Sequence, residues 1–142
     1  MSATNVYVAL DVGEVRIGVA SNPSGVHIAQ PRGVIANDKN VVASIKKLIS
    51  DEQAVVLIVG LPRGLQGQDT EQTKYVRDFV GKLQDSISVP IQLQDEAMTS
   101  VHAEEELSSR GKPFEKSDID ALAATYILQD YLQSLPESVT HE

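Results

Sequence analysis

The residues Ala54–Gly60, AVVLIVG, are apolar without a break. A strand of this kind has to be covered on both faces, which is the situation of an inner, parallel strand in a sheet with helices on either side. The flanking segments agree. Before it, NDKNVVASIKKLISDEQ repeats Val41, Val42, Ile45, Leu48 and Ile49 at helical spacing. After it, LPRGLQGQD is rich in Gly and reads as a loop. The helix that follows puts Tyr75, Val76, Phe79, Val80 and Leu83 on one side, with DTEQ as a capping box at its start.

The rest of the chain fits around this unit. VYVALD, VRIGVAS and a run within VHIAQPRGVIA are β-rich and separated by Gly, Asn and Pro, so they predict a meander of three antiparallel strands. VPIQLQDE predicts a short final strand. TSVHAEEELSSRG predicts a helix capped by Thr99 or Ser100 and stopped by Gly111. SDIDALAATYILQDYLQSL predicts the last helix, and the tail from about residue 136 is expected to fray. The expected fold is α/β, a five-stranded mixed sheet with three antiparallel strands and then two parallel ones, flanked by helices. With 142 residues and no linker or repeat, one domain over 1–142 is expected.

Composition removes several classes of function. With no cysteine there is no disulfide framework, no thiolate metal site and no cysteine nucleophile. MSATNVYVALDVG lacks the pattern of a secretory leader, and no apolar run is long enough to span a bilayer, so a cytoplasmic location is expected. The net charge of −8 argues against a broad basic face for nucleic acid. It leaves room for phosphate at a metal site, because bound cations invert the local charge.

Acids stand where strands end. Asp11 closes the first strand, Asp95 and Glu96 close the last, and Asp120 lies in the first turn of the final helix. Ligands of α/β sheets bind beyond the carboxyl ends of parallel strands. If the first and last strands are interior and parallel, their acids meet in one crevice with Asp120 at its side. Carboxylates gathered there without basic partners call for a hard cation such as Mg²⁺ or Mn²⁺, and two such ions would serve phosphodiester hydrolysis. Each residue also has a structural reading. Asp11 and Asp95 suit turns or solvent. Asp120 lies at capping-box spacing from Ser117, and Asp118 is a natural first-turn acid and a lesser metal candidate.

Four segments, LDVGEVRIGVA, IVGLPRGLQGQDTEQTKYVRDFV, DEAMTSVHAEEEL and IDALAATYILQDYL, resemble in order and spacing the signature blocks of the YqgF/RuvX family. The resemblance implies a ribonuclease H-like fold and a nuclease described as a Holliday junction resolvase or as maturing the 5′ end of pre-16S ribosomal RNA. It implies Asp11, Glu96 and Asp120 as catalytic metal ligands, with Asp95 beside Glu96. Mg²⁺ or Mn²⁺, as two ions, would be the cofactor. Structured RNA or branched DNA would be the substrate, for a monomer or a homodimer. Two positions depart from the family pattern: Val15 stands where Lys is usual, before Arg16, and Ala97 where the arginine of the acidic block is usual. Both remove positive charge that would meet phosphate.

Arg16, Arg63 and Arg77 are the candidate phosphate contacts. Arg63 belongs to the GLPRGLQGQDTEQ loop, which is either an amide cradle before a helix N-terminus or simply a loop. Glu104–Glu106 read as a solvated helix face, and His27, His102 and His141 have no metal-ligand spacing. Two other functions fit parts of the pattern. One is a non-catalytic nucleic-acid-binding module of the same fold. The other is a nucleotide-binding relative of the sugar kinase, Hsp70 and actin superfamily, whose first phosphate loop DVG also resembles.

Overall fold

A computed structural model describes residues 5–96 and 99–135. The strands are β1 (Tyr7–Val12), β2 (Arg16–Ser21), β3 (Gln30–Ala36), β4 (Val56–Pro62) and β5 (Ile91–Glu96). The helices are α1 (Val41–Glu52), α2 (Glu71–Gln84), α3 (Thr99–Ser109) and α4 (Lys116–Ser134). The strands form one sheet in the order β3-β2-β1-β4-β5. β1 pairs antiparallel with β2 and β2 with β3, whereas β4 runs parallel to both β1 and β5. This is the mixed sheet expected from the sequence.

The apolar run lies where its composition demands. β4 sits between β1 and β5, and its residues from Leu57 to Leu61 are buried on both sides of the sheet. The strand also runs on through Leu61 and Pro62, which the sequence placed in a loop. Pro62 is tolerated because it closes the strand, where one missing N–H matters little. A second expectation is corrected here: β1 is interior, but β5 is an edge strand, with β4 between the two. Their carboxyl ends still point the same way.

The two sides of the sheet are built differently. On one side Val8, Leu10, Val12, Ile17, Val19, Leu57 and Val59 pack against Ile45 and Ile49 of α1 and Val76, Val80 and Leu83 of α2. On the other side the strands offer mostly small residues, Ala9, Gly18, Ala20 and Gly60, and α4 lies directly on them through Ala124, Ile127 and Leu128. The approach is so close that a Cβ on Gly18 would stand 1.9 Å from the carbonyl oxygen of Asp120, and one on Gly60 2.4 Å from Ile127 Cδ1. α3 then packs on α4 through Ala103 and Leu107 against Leu122 and Ala123.

Helix starts differ in detail from expectation. The box at α2 uses Thr70 and Thr73, not the acid and glutamine of DTEQ. α4 begins two residues earlier than Ser117 would set it: Glu115 is the N-cap, and the Asp118 carboxylate accepts from the Glu115 backbone N–H at 2.9 Å. The residue before α3, Ala97 and the tail from 136 lie outside the described residues.

Candidate active site

Side-chain alternation decides which acids meet. Along β1, Val8, Leu10 and Val12 face α1 and α2, so Asp11 faces α4 with Tyr7 and Ala9. Asp11 is paired in register with Gly18 of β2, the residue over which the Asp120 backbone passes. The missing side chain of Gly18 is therefore what allows Asp120 to approach Asp11. Burial first, and the charge of Asp120 second, push the Asp11 carboxyl up to about 6.

β5 separates its two terminal acids. Glu96 pairs with Pro62 and Asp95 with Leu61, and Leu61 packs on the α1 and α2 side. Glu96 thus shares the α4 side with Asp11, and Asp95 does not. Asp95 instead accepts from Arg63 Nε at 3.3 Å, with its side chain 68% exposed. Glu96 is pushed up to about 8: by burial first, then by a hydrogen bond with the carboxyl of Asp130 and by the charges of Asp130, Asp95 and Asp11. A hydrogen bond between two carboxyl groups needs one of them protonated, so the proton belongs to the pair.

Asp120 is not a cap. Its carboxylate, only 20% exposed, accepts from Arg16 Nε in a part-buried ion pair. Arg16 and Asp120 border a groove that Lys116, Glu104 and Phe114 also line. Asp118 is instead occupied in capping the helix, its carboxylate turned back to the Glu115 N–H. The structure therefore brings Asp11 to Asp120 on one side and within electrostatic reach of Glu96 on the other. Among the described residues no three acids or histidines stand close enough together to share one ion.

The turn after Asp11 is held on several sides. Gly13 N–H donates to Arg16 O at 3.0 Å, Asn37 Nδ2 donates to Gly13 O at 2.7 Å, and Gln72 Nε2 donates to Val12 O at 3.1 Å. Asn37 also donates to the Tyr75 hydroxyl at 2.9 Å. Gly13 has no room for a side chain, since a Cβ would lie 2.7 Å from Arg16 O. Val15, where the family usually carries lysine, projects into solvent at 72% exposure. Ala97 lies outside the described residues.

Arg63 and Arg77 stand at the same end of the sheet but toward α2. Arg63 N–H donates to Glu96 O at 2.9 Å, closing β4 against β5. The buried Thr73 hydroxyl donates to Pro62 O at 2.5 Å, tying α2 to the end of β4. Asp69 bonds both arginines. The sequence reading missed Asp69, Asn37, Gln72 and Asp130. Asp130 is an exposed acid of α4 that belongs to no motif, and its approach to Glu96 depends on how α4 crosses the sheet.

A profile of the RuvX family, described as Holliday junction resolvase, matches residues 5–134. The chain belongs to the RuvX family. Three curated proteins named "Putative pre-16S rRNA nuclease" are similar to it over most of their length. That of Sulfurihydrogenibium sp. is 41% identical over 129 residues, 89% of this chain and 88% of the relative. That of Chloroflexus aurantiacus is 38% identical over 133 residues, 91% and 87%. That of Methylobacillus flagellatus is 37% identical over 139 residues, 94% of each chain. Among solved structures, Thermus thermophilus RuvC in complex with a Holliday junction has a TM-score of 0.53 at 16% identity, covering 92% of this chain and 94% of RuvC. This likeness is one of fold, ribonuclease H-like as the sequence resemblance implied. RuvX membership favours the nuclease over the kinase-like phosphate loop. Among the described residues no helix is long and apolar enough to cross a membrane.

Proposed function

We propose that this RuvX-family nuclease hydrolyses phosphodiester bonds in a ribosomal RNA precursor, with Asp11, Glu96 and Asp120 as ligands of Mg²⁺ or Mn²⁺. The observation that carries the reading is the excess of negative charge on the α4 side of the strand ends. Asp11 is raised by burial and by Asp120, and Glu96 by burial and, on this side, by Asp130 and Asp11, with Arg16 the cation paired to the group. Hard oxygen donors under mutual repulsion suit a hard divalent cation. A cation bound there would activate water and neutralise charge developing on the scissile phosphate. The chain's own residues supply the rest. The pinned turn at Gly13 fixes Asp11, Gly18 sets the depth of α4 and hence of Asp120, and Arg16 keeps Asp120 at the mouth of the site.

The substrate is assigned from the names of the curated relatives, and a four-way DNA junction is the alternative that the family description favours. The test is cleavage of a pre-16S RNA fragment and of a four-way junction in Mg²⁺ or Mn²⁺, with wild type and Asp11→Asn. The wild type should cut the RNA only with metal, and Asp11→Asn should lose roughly 100-fold or more. Equal cleavage by both removes the mechanism. Nucleic acid bound but never cut would make the chain a binding module.

A further inference from the structure

The arginines at the rim are occupied by a residue of the chain itself. Asp69 divides its carboxylate between them, Oδ1 to Nη1 of Arg63 and Oδ2 to Nη1 of Arg77. Both guanidiniums are anchored from behind. Arg63 leaves the end of β4, where its N–H bonds Glu96 O and where Thr73 holds Pro62 O. Its Nε reaches Asp95. Arg77 is set by α2, whose start is closed by the Thr70 and Thr73 box. The loop between them is folded on itself, with Gly64 N–H donating to Gln68 O at 2.8 Å and Gly67 at a φ of +80°. Two arginines thus converge on one anion, in a geometry that suits the oxygens of a phosphate as well as those of a carboxylate.

We propose that Asp69 is a built-in substitute for a substrate phosphate: its carboxylate holds the place between Arg63 and Arg77 that a backbone phosphate takes when nucleic acid binds. The inference rests on the nuclease reading and adds to it a masked phosphate site one strand end away from Glu96. Exposed ion pairs of this kind contribute little to folding, so Asp69 can be displaced at small cost. The arrows of charge agree, since the arginine partners hold the Asp69 carboxyl below its usual range. A masked fork has a consequence for selectivity. A lone phosphate must compete with a carboxylate already in place, whereas a substrate anchored elsewhere supplies its phosphate at high effective concentration.

The test is binding of a fluorescein-labelled RNA duplex with a single-stranded 5′ extension, followed by anisotropy in EDTA so that metal-dependent cleavage plays no part. Asp69→Asn should bind roughly 3- to 10-fold tighter than wild type at equal melting temperature. Its dependence of log Kd on log salt should steepen by about 0.7–0.9, the share of one further phosphate contact. The gain should vanish when Arg63→Gln and Arg77→Gln are added. Glu71→Gln, which removes one negative charge at the start of the same helix, should leave binding unchanged. Binding by Asp69→Asn that is absent, or no tighter than wild type, overturns the inference, as does a gain that survives loss of both arginines or is matched by Glu71→Gln. The metal-dependent cleavage assay decides the nuclease reading separately.

Discussion

The side of the sheet that faces α1 and α2 and the side that faces α4 are both buried, and they are built to different tolerances. The first interlocks large aliphatic side chains, Leu10, Ile17, Leu57 and Val59 against Ile45, Val76 and Leu83. The second sets a helix nearly on the strand backbone through Ala9, Gly18, Ala20 and Gly60. A layer of large side chains stabilises by the apolar area it removes from water and can relax around a change. A layer of small residues fixes distance. The acids that depend on distance, Asp11 and Asp120, are both on the thin side.

Substitutions on the two sides should therefore separate stability from activity. Leu57→Ala removes a fully buried side chain from the thick layer and should cost about 2–5 kcal/mol in urea denaturation. The fraction that stays folded should keep its specific cleavage activity. Gly18→Ala forces a methyl group against the Asp120 carbonyl and should cost about 1–3 kcal/mol. Its activity should fall well beyond the loss of folded protein, because α4 must lift and carry Asp120 from Asp11. Equal loss of activity per folded molecule in both variants would break the distinction.

A smaller effect sets the charged end of the thin side apart from the rest of the molecule. Asp11 and Glu96 hold protons more tightly folded than unfolded, up to about 6 and about 8. Between the ordinary carboxylate range and those values the folded state binds more protons than the unfolded chain. Their contribution to stability is thus largest in acid and is lost as pH rises toward 8. The melting temperature of metal-free protein should fall over this range, and Asp11→Asn or Glu96→Gln should flatten the slope. A melting temperature that rises steadily to pH 8 and is unmoved by either substitution would contradict the electrostatic description of the site.

Much of this was legible in the chain, and the exceptions share a cause. Alternation in VYVALD and continuity in AVVLIVG identify the strands, since burial on one face or two writes itself into local pattern. Asp11, Asp95 and Glu96 drew attention because strand ends are where α/β sheets bind ligands, and the family resemblance then singled out Glu96 over Asp95 and gave Asp120 a role other than a cap. What the local pattern lacks is register. That Glu96 and not Asp95 joins Asp11 follows from the pairing of Pro62 with Glu96, and nothing within QDE expresses it. The cap of α4 moved from Ser117 to Glu115 because Asp118 could reach back to the Glu115 N–H, leaving Asp120 free to pair with Arg16. Asp69 and Asp130 act across elements, through Arg77 and Glu96, and carry no signal of their own.

The central claim is that Asp11, Glu96 and Asp120, all carried on the thin side of the sheet, supply the ligands of divalent cations, divided between two ions and not gathered on one. Calorimetric titration of Mn²⁺ into wild type, Asp11→Asn, Glu96→Gln, Asp120→Asn and Asp118→Asn tests it without nucleic acid. The account predicts binding by wild type and Asp118→Asn, and binding weakened at least about tenfold in each of the other three. Mn²⁺ binding unchanged in Asp11→Asn and Asp120→Asn would contradict it.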